Sequence, residues 1–322
     1  MKLKLTHSKI IINKLLRKCF RVYRERDFYK DLAAKYSKFN PPGHYYSPVP
    51  DEKVIPDFLK IDYDLGIPGI DLNADSQKAL LEELKKFYNK SIFPSEKTEG
   101  VRYYFNNDYF GYSDGIFLAE ILQLYKPEKI IEIGSGFSSA LMLDVNEELL
   151  NNTIHLTFIE PYPDERLNNL IKSEEKITLI KDFVQNVDSA IWHELKENDI
   201  LFIDSSHVVK FRNDVEYLFF KVIPLLNKGV IIHIHDVFFP FEYPVEWLKQ
   251  GRAWNESYFL KAFLQFNSDF EILLFTSFLE GKYRNWFEEN MPLCLNMHKK
   301  IIIGSEEILL STTGQSIYIR RK

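Results

Sequence analysis

Five short apolar runs, KIIEIG, IHLTFIE, KITLIKD, DILFIDSS and VIIHIHD, follow one another between Lys129 and Asp236. Each is rich in Ile, Leu and Phe, and segments of helical spacing separate several of them. Buried parallel strands read as near-continuous apolar runs, and their alternation with helices predicts a parallel sheet covered on both faces. The expected fold class is therefore α/β, a doubly wound and mostly parallel sheet. Past Glu246 the pattern predicts a helix over NESYFLKAFLQF, a strand over FEILLFT, a mixed insertion, and a final antiparallel edge strand over SIYIRR at 316–321.

Upstream, the spacing predicts a helix over 75–90, capped by Asp75, and another over 113–125. Residues 8–36 predict a basic amphipathic helix with Ile12, Leu15, Leu16, Cys19 and Tyr23 at helical spacing. The prolines of NPPGHYYSPVPD, 40–51, stop it by enforcing extended or turn geometry. The organisation expected is a basic helical extension over 1–39, an aromatic and proline-rich segment with a cap helix over 40–99, and a main domain with a C-terminal insertion over 100–322.

Charge changes this picture at one end. Residues 1–30 carry ten Lys or Arg against Glu25 and Asp27, whereas the whole chain has a net charge of −5, so the remainder is acidic. Nucleic acid is therefore not an expected partner of the main body. The basic helix suits docking on the chain's own domain, on a partner or on a second copy of the chain, or else lying on an anionic membrane surface. Docking is favoured, because the stripe Ile12, Leu15, Leu16 and Cys19 needs cover. With no evident targeting segment and no apolar run long enough to span a bilayer, the expected location is cytoplasmic. Cys19 and Cys294 lie too far apart in sequence to suggest a disulfide framework or a zinc cluster.

The candidate chemistry begins at IIEIGSGFSS, 130–139. Gly134 and Gly136 occupy the turn where the first strand gives way to a helix, so backbone can approach a ligand there and the helix start offers free N–H groups. Glu160 closes the second strand, where a carboxylate accepts hydrogen bonds from two ribose hydroxyls. Asp182 ends the third strand on the same rim and can meet an adenine amino group. Glycines also serve strand-to-helix packing, and it is the order of turn, acid and acid in successive strands that points to a nucleoside. A dinucleotide fingerprint usually carries a third glycine where this chain has Ser139, and Glu132 would repel a pyrophosphate while suiting a cationic ligand.

The segments EIGSGFSS, FIEPYP, LFIDSSH and GVIIHIHDVFFPFEYP together resemble the class I S-adenosylmethionine-dependent methyltransferases, a Rossmann-like family, over roughly residues 100–275. The closest subset has a strand-four Asp-x-x-His and a strand-five His-Asp and is often found beside glycan or natural-product biosynthesis genes; PGHYYSPVPD resembles it too. The resemblance implies S-adenosylmethionine as cofactor, with Glu132, Gly134 and Gly136 along the methionine portion, Ser138 in the same turn, Glu160 at the ribose and Asp182 at the adenine side. It implies O-methylation of a small polar acceptor such as a sugar or glycan precursor.

Strand five breaks its own rule, since His233 and His235, two apart, point to one face of a strand that should be apolar. A core histidine is commonly a satisfied hydrogen-bonding group, a reading that stands beside a functional one for His233. Asp204 ends strand four, His207 follows three residues on, and Asp236 follows strand five, so neighbouring strands bring the two aspartates together. Asp204 and Asp236 with one or two imidazoles suit a divalent cation such as Mg, which orients an acceptor hydroxyl and lowers its pKa. Some members of the family bind magnesium through acids at these strand ends, and His235 stands where several have a carboxylate. Without an ion, His207 or His235 would serve as general base. The candidate catalytic set is Asp204, His207, His235 and Asp236.

Three further stretches carry two readings each. FFPFEYP, 238–244, is either a wall of the acceptor pocket or packing; RAWNESYF offers Arg252, Trp254, Asn255 and Glu256, with Asn255 equally a helix cap; VRYYFNNDYFGYSDG, 101–115, is a lid or ordinary cover for the sheet. The rival functions are a NAD-dependent oxidoreductase and a non-catalytic nucleoside-binding or scaffold protein on the same fold, with a metal-dependent hydroxylase more remote.

Overall fold

A computed structural model describes residues 23–32, 40–88, 93–163, 165–172, 176–296, 299–303, 306–311 and 313–322. The chain divides into two compact units, residues 1–55 with 248–253, and residues 56–247 with 254–322. In the first, residues 23–32 are helical with every side chain exposed. The rest of the helix expected over 8–36, including its apolar stripe up to Cys19, lies outside the described residues. After residue 40 the chain turns back on itself, Gly43 N–H donating to Val49 O at 3.1 Å, and His44 stacks on Tyr45 with ring centroids 4.5 Å apart.

The second unit is built on a seven-stranded sheet. Its parallel strands are β1 (Lys129–Ile133), β2 (His155–Ile159), β3 (Ile177–Ile180), β4 (Ile200–Ile203) and β5 (Ile231–Ile234). β6 spans Phe270–Phe275, β7 (Lys299–Ile303) and β8 (Glu306–Ser311) form a separate antiparallel pair, and β9 spans Ile317–Arg321. The sheet order is β3-β2-β1-β4-β5-β9-β6. All of β4 and β5 is buried, which is why those runs carry no polar residue except His233.

The antiparallel strand expected over 316–321 is β9, and it is not outermost. It pairs with both β5 and β6, which leaves β6 at the edge. The physical reason is burial: Ile317, Tyr318 and Ile319 are fully buried, whereas β6 keeps Phe270, Glu271 and Leu273 partly exposed.

The helices are α1 (Ala74–Tyr88), α2 (Tyr112–Tyr125), α3 (Phe137–Glu148), α4 (Glu165–Leu170), α5 (Asp214–Tyr217), α6 (Val245–Lys249), α7 (Glu256–Leu264), α8 (Thr276–Lys282) and α9 (Arg284–Asn290). α1 begins one residue ahead of Asp75, whose carboxylate therefore lies inside the first turn, where it favours the positive end of the helix dipole without capping it. In the aromatic stretch 101–115, Tyr103, Phe105 and Phe110 are buried and Tyr103 Oη donates to Phe110 O at 2.7 Å. These three rings are cover for the sheet, while Tyr109 is exposed and stacks on Phe137. Among the described residues no helix is long and apolar enough to cross a membrane.

Candidate active site

Strand register decides which residues meet. Ile159, Ile133, Ile203 and Ile234 lie side by side across β2, β1, β4 and β5. The next residue on each strand is Glu160, Gly134, Asp204 and His235, so four of the residues singled out from the sequence stand in one row at the carboxyl edge. Open α/β sheets bind ligands at this edge, at the point where strand order reverses. Here that point lies between β1 and β4.

Gly134 is required by close approach. Its φ is +83°, and a Cβ there would come within 1.8 Å of Asp204 O. Only glycine allows the β1 turn to lie against the β4 turn. Glu132, two residues earlier, is completely buried; Ser138 Oγ donates to its Oε1 at 2.5 Å and Ser139 Oγ to its Oε2. Burial pushes the Glu132 carboxyl up to about 8 against the pull of these hydroxyls. Ser139 Oγ also accepts from Gly136 N–H at 2.9 Å, so Glu132, Gly136, Ser138 and Ser139 brace the start of α3.

Beside this turn opens a cavity of about 320 Å³ lined by Gly134, Glu160, Phe183, Asp204, Ser205 and neighbouring residues. Glu160 lies half-buried on its wall, held by Tyr162 N–H on Oε1 at 2.8 Å and by Ser135 N–H on Oε2 at 3.4 Å. Asp182 is exposed and does not line the cavity. Its Oδ1 accepts from Phe183 N–H and Asn186 Nδ2, both at 2.7 Å, and so stiffens the turn after β3.

The structure brings Asp204, His207, His235 and Asp236 together. His207 Nε2 lies 3.4 Å from Asp204 Oδ1 and 3.2 Å from Asp236 Oδ2, while His235 Nδ1 lies 3.6 Å from Asp204 Oδ1 and from Asp236 Oδ1. One ligand atom from each of Asp204, His207 and Asp236 falls within 4.8 Å of the others, a spacing that could hold a metal ion. His207 and Asp236 both have positive φ, 57° and 59°. Such backbone strain costs on the order of 1–3 kcal/mol per residue and is held only by surrounding structure.

Each imidazole is backed by a second carboxylate that sequence reasoning did not place. His207 Nδ1 lies 2.9 Å from Glu256 Oε2, at the start of α7, and His235 Nε2 lies 3.6 Å from Asp114 Oδ2, in the first turn of α2. Asp114 Oδ1 is fixed by Gln315 N–H at 2.9 Å and Ser316 Oγ at 2.6 Å. Burial lowers the His207 pKa, but its bonds to Asp204 and Glu256 prevail and lift it to about 10. His235 is likewise raised, its surrounding carboxylates outweighing burial. Asp204 is partly buried, which works against its charge, and the imidazoles nevertheless hold it well below the usual carboxylate range; burial pushes Asp236 and Glu256 up.

Nearby residues divide between function and packing. His233 is buried between Phe202 and Tyr318, with Nε2 2.8 Å from Ser316 Oγ, and burial keeps it neutral, which is the packing reading. Asn255 makes no side-chain cap; its Oδ1 accepts from Val209 N–H at 2.6 Å, and its own N–H and that of Glu256 both donate to His207 O. The start of α7 thus clasps the His207 loop. Local sequence held one signal for Glu256, its place directly after that asparagine. Asp114 had none beyond a carboxylate in an otherwise apolar helix.

An uncharacterized protein of Archaeoglobus fulgidus is 35% identical to this chain over 177 residues, 53% of this chain and 80% of that protein. The chain belongs to that protein's family. Residues 131–237 match the family model described as a methyltransferase domain. Two solved structures are remotely similar: an SAH-bound methyltransferase of Podospora anserina, with 15% identity, a TM-score of 0.39 and coverage of 80% of this chain and 100% of that one, and a putative O-methyltransferase of Klebsiella pneumoniae, with 12%, 0.37, 76% and 90%. Every residue from Glu132 to Asp236 discussed above falls inside the methyltransferase domain match, and Asp114 and Glu256 lie outside it.

Proposed function

We propose that this methyltransferase transfers the methyl group of S-adenosylmethionine to a hydroxyl oxygen of a small polar acceptor, such as a sugar or glycan precursor. The observation that carries the reading is the cavity at the β1/β4 reversal, with Glu160 on one wall and the Asp204 turn on the other. The residues fit the group. Gly134 clears the backbone, Glu160 offers a carboxylate to ribose hydroxyls, and Ser205 Oγ, in the cavity's lining, is a buried polar atom with no hydrogen-bond partner. When bound, S-adenosylmethionine would supply an electrophilic methyl carbon, with its sulfur as the leaving group that keeps the electron pair of the carbon–sulfur bond.

The chain's task is to align the acceptor oxygen and take up its proton. The raised pKa values of His207 and His235 leave both imidazoles protonated without an ion, which removes them as the expected base. Of the two carboxylates at the edge where the oxygen would be presented, Asp204 is held low, and Asp236, which burial pushes up, receives the proton. Their donor set, two carboxylates and the His207 imidazole, fits a hard divalent cation such as Mg, which would lower the pKa of the hydroxyl. Glu256 would hold the proton on His207 Nδ1 and leave the Nε2 lone pair for the ion.

Calorimetric titration with S-adenosylmethionine and its demethylated product tests the reading. Both should bind, and Glu160→Ala should weaken them by about 10–100-fold, the loss of a hydrogen bond to a charged group. Equal binding by that variant removes Glu160 from the ribose.

A further inference from the structure

A second cavity, of about 270 Å³, lies past the carboxyl end of β5, between residues 57–63 and residues 238–247. Gln315 also lines it; its N–H donates to Asp114 Oδ1 and its carbonyl accepts from Val237 N–H, both at 2.9 Å. Those bonds tie one wall of the cavity to Asp114, which faces His235, and to the residue that follows Asp236. The cavity's walls are held by packing. Tyr63 stacks on Phe239 at 5.5 Å, and a Cβ on Gly281 of α8 would come within 2.1 Å of the Tyr63 ring, so this glycine seats that wall. Phe238 meets Trp247 edge-on at 5.3 Å on the other side. Tyr243, also in the lining, accepts Ser257 N–H at 3.0 Å, directly beside Glu256.

The charged residues of this lining are all acids, Asp57, Glu242 and Glu246, and no Lys, Arg or His is among them. Aromatic faces are negative at their centres and attract cations. Carboxylates and ring faces therefore act with one sign on an occupant. A phosphate, carboxylate or nucleotide-linked group would meet like charge from Glu242 and Glu246, with no cationic side chain in the lining to answer it, whereas a protonated amine would be drawn in. At just under the roughly 300–1,000 Å³ of ordinary small-molecule sites, the space suits one substituted ring.

Resting on the methyl-transfer reading, we infer that this cavity is the acceptor site and that it selects a single hydroxylated ring bearing a protonated amine, with the ring on Tyr63, Phe238 and Trp247 and the ammonium toward Glu242. Acceptors activated or tagged by phosphate are excluded.

The test is calorimetry on the full chain saturated with S-adenosylhomocysteine, using glucosamine, N-acetylglucosamine and glucosamine 6-phosphate as matched probes. Glucosamine should bind about tenfold more tightly than its N-acetyl form, the order expected of a cation–π contact with a nearby carboxylate, and the phosphate should bind more weakly than either. Glu242→Gln should erase the preference for the amine while leaving S-adenosylhomocysteine affinity unchanged. Failure of glucosamine to bind, equal binding of the N-acetyl or phosphorylated form, or a preference that survives Glu242→Gln overturns the inference. Failure of S-adenosylhomocysteine itself to bind overturns the methyl-transfer reading instead, so the two failures are told apart.

Discussion

His207 Nδ1 and Glu256 Oε2 stand 2.9 Å apart across 49 residues of chain, and the opposite ring nitrogen faces Asp204 and Asp236. A carboxylate behind a metal-ligating imidazole fixes its tautomer and ring orientation, and its loss typically costs 10–100-fold in metal affinity. Glu256→Gln should therefore weaken Mn²⁺ binding by about that factor, read by calorimetry, with cofactor affinity retained. Unchanged Mn²⁺ affinity would mean that Glu256 orients nothing at an ion site.

An ion at this centre competes with a proton for His207 Nε2. With the His207 pKa at about 10 in the ion-free protein, Mn²⁺ affinity should climb through neutral and alkaline pH, by up to about tenfold per pH unit for one displaced proton. The same raised pKa fixes the sign for stability. The contribution of protonated His207 is full below the ordinary histidine value of 6.5 and is lost as pH rises through about 10. Titrations with Mn²⁺ at several pH values decide the first point, and a flat profile removes His207 from the ligand set.

Gly134→Ala should damage the protein out of proportion to one methyl group. A Cβ at that position falls 1.8 Å from Asp204 O at a φ of +83°, so either the β1 turn or the β4 turn must move. We expect a loss on the order of several kcal/mol, in the range of strained-backbone substitutions, seen as a lower Tm together with loss of S-adenosylhomocysteine binding. A variant with wild-type Tm would show that the two turns are not in contact.

Glu120 tests the cost of an unpaired buried acid. It is 2% exposed in α2, both of its oxygens lack a hydrogen-bond partner, and burial raises its pKa well above 4.5. A folded pKa raised in this way gives a contribution that is whole below the unfolded value and falls away as pH rises toward the folded one. Glu120→Leu should therefore raise Tm, with a larger gain at pH 8 than at pH 5. Thermal scans at the two pH values showing a lower Tm at both would mean that the carboxyl is satisfied by a group such as a buried water.

Much of the fold was legible because its cause is local. A strand buried on both faces is apolar at nearly every position, and KIIEIG, DILFIDSS and VIIHIHD announce β1, β4 and β5 in that way. The row Glu160, Gly134, Asp204 and His235 was legible for the same reason, since each residue directly follows such a run. What stayed hidden depends on partners distant in sequence. Nothing in SIYIRR tells an internal strand from an edge strand, because its place is set by β6 arriving on its far side. Asp114 lies before the first strand and Glu256 twenty residues after Asp236, so only the folded chain puts them behind the two imidazoles. Glu132 was read as facing a cationic ligand, and the hydroxyls that occupy it, on Ser138 and Ser139, stand six and seven residues later on a helix whose direction the sequence does not give.

The lodging of β9 between β5 and β6 also bears on how the molecule assembles. β5 leads straight into His235 and Asp236, and one of its two flanks is hydrogen-bonded to residues 317–320. As the chain leaves the ribosome, the strand that delivers these two side chains therefore waits as an open edge while more than eighty residues follow it. During that interval its unpaired backbone is a template for foreign strands, and the cluster of Asp204, His207, His235 and Asp236 cannot take its final shape until residues 317–320 have been made.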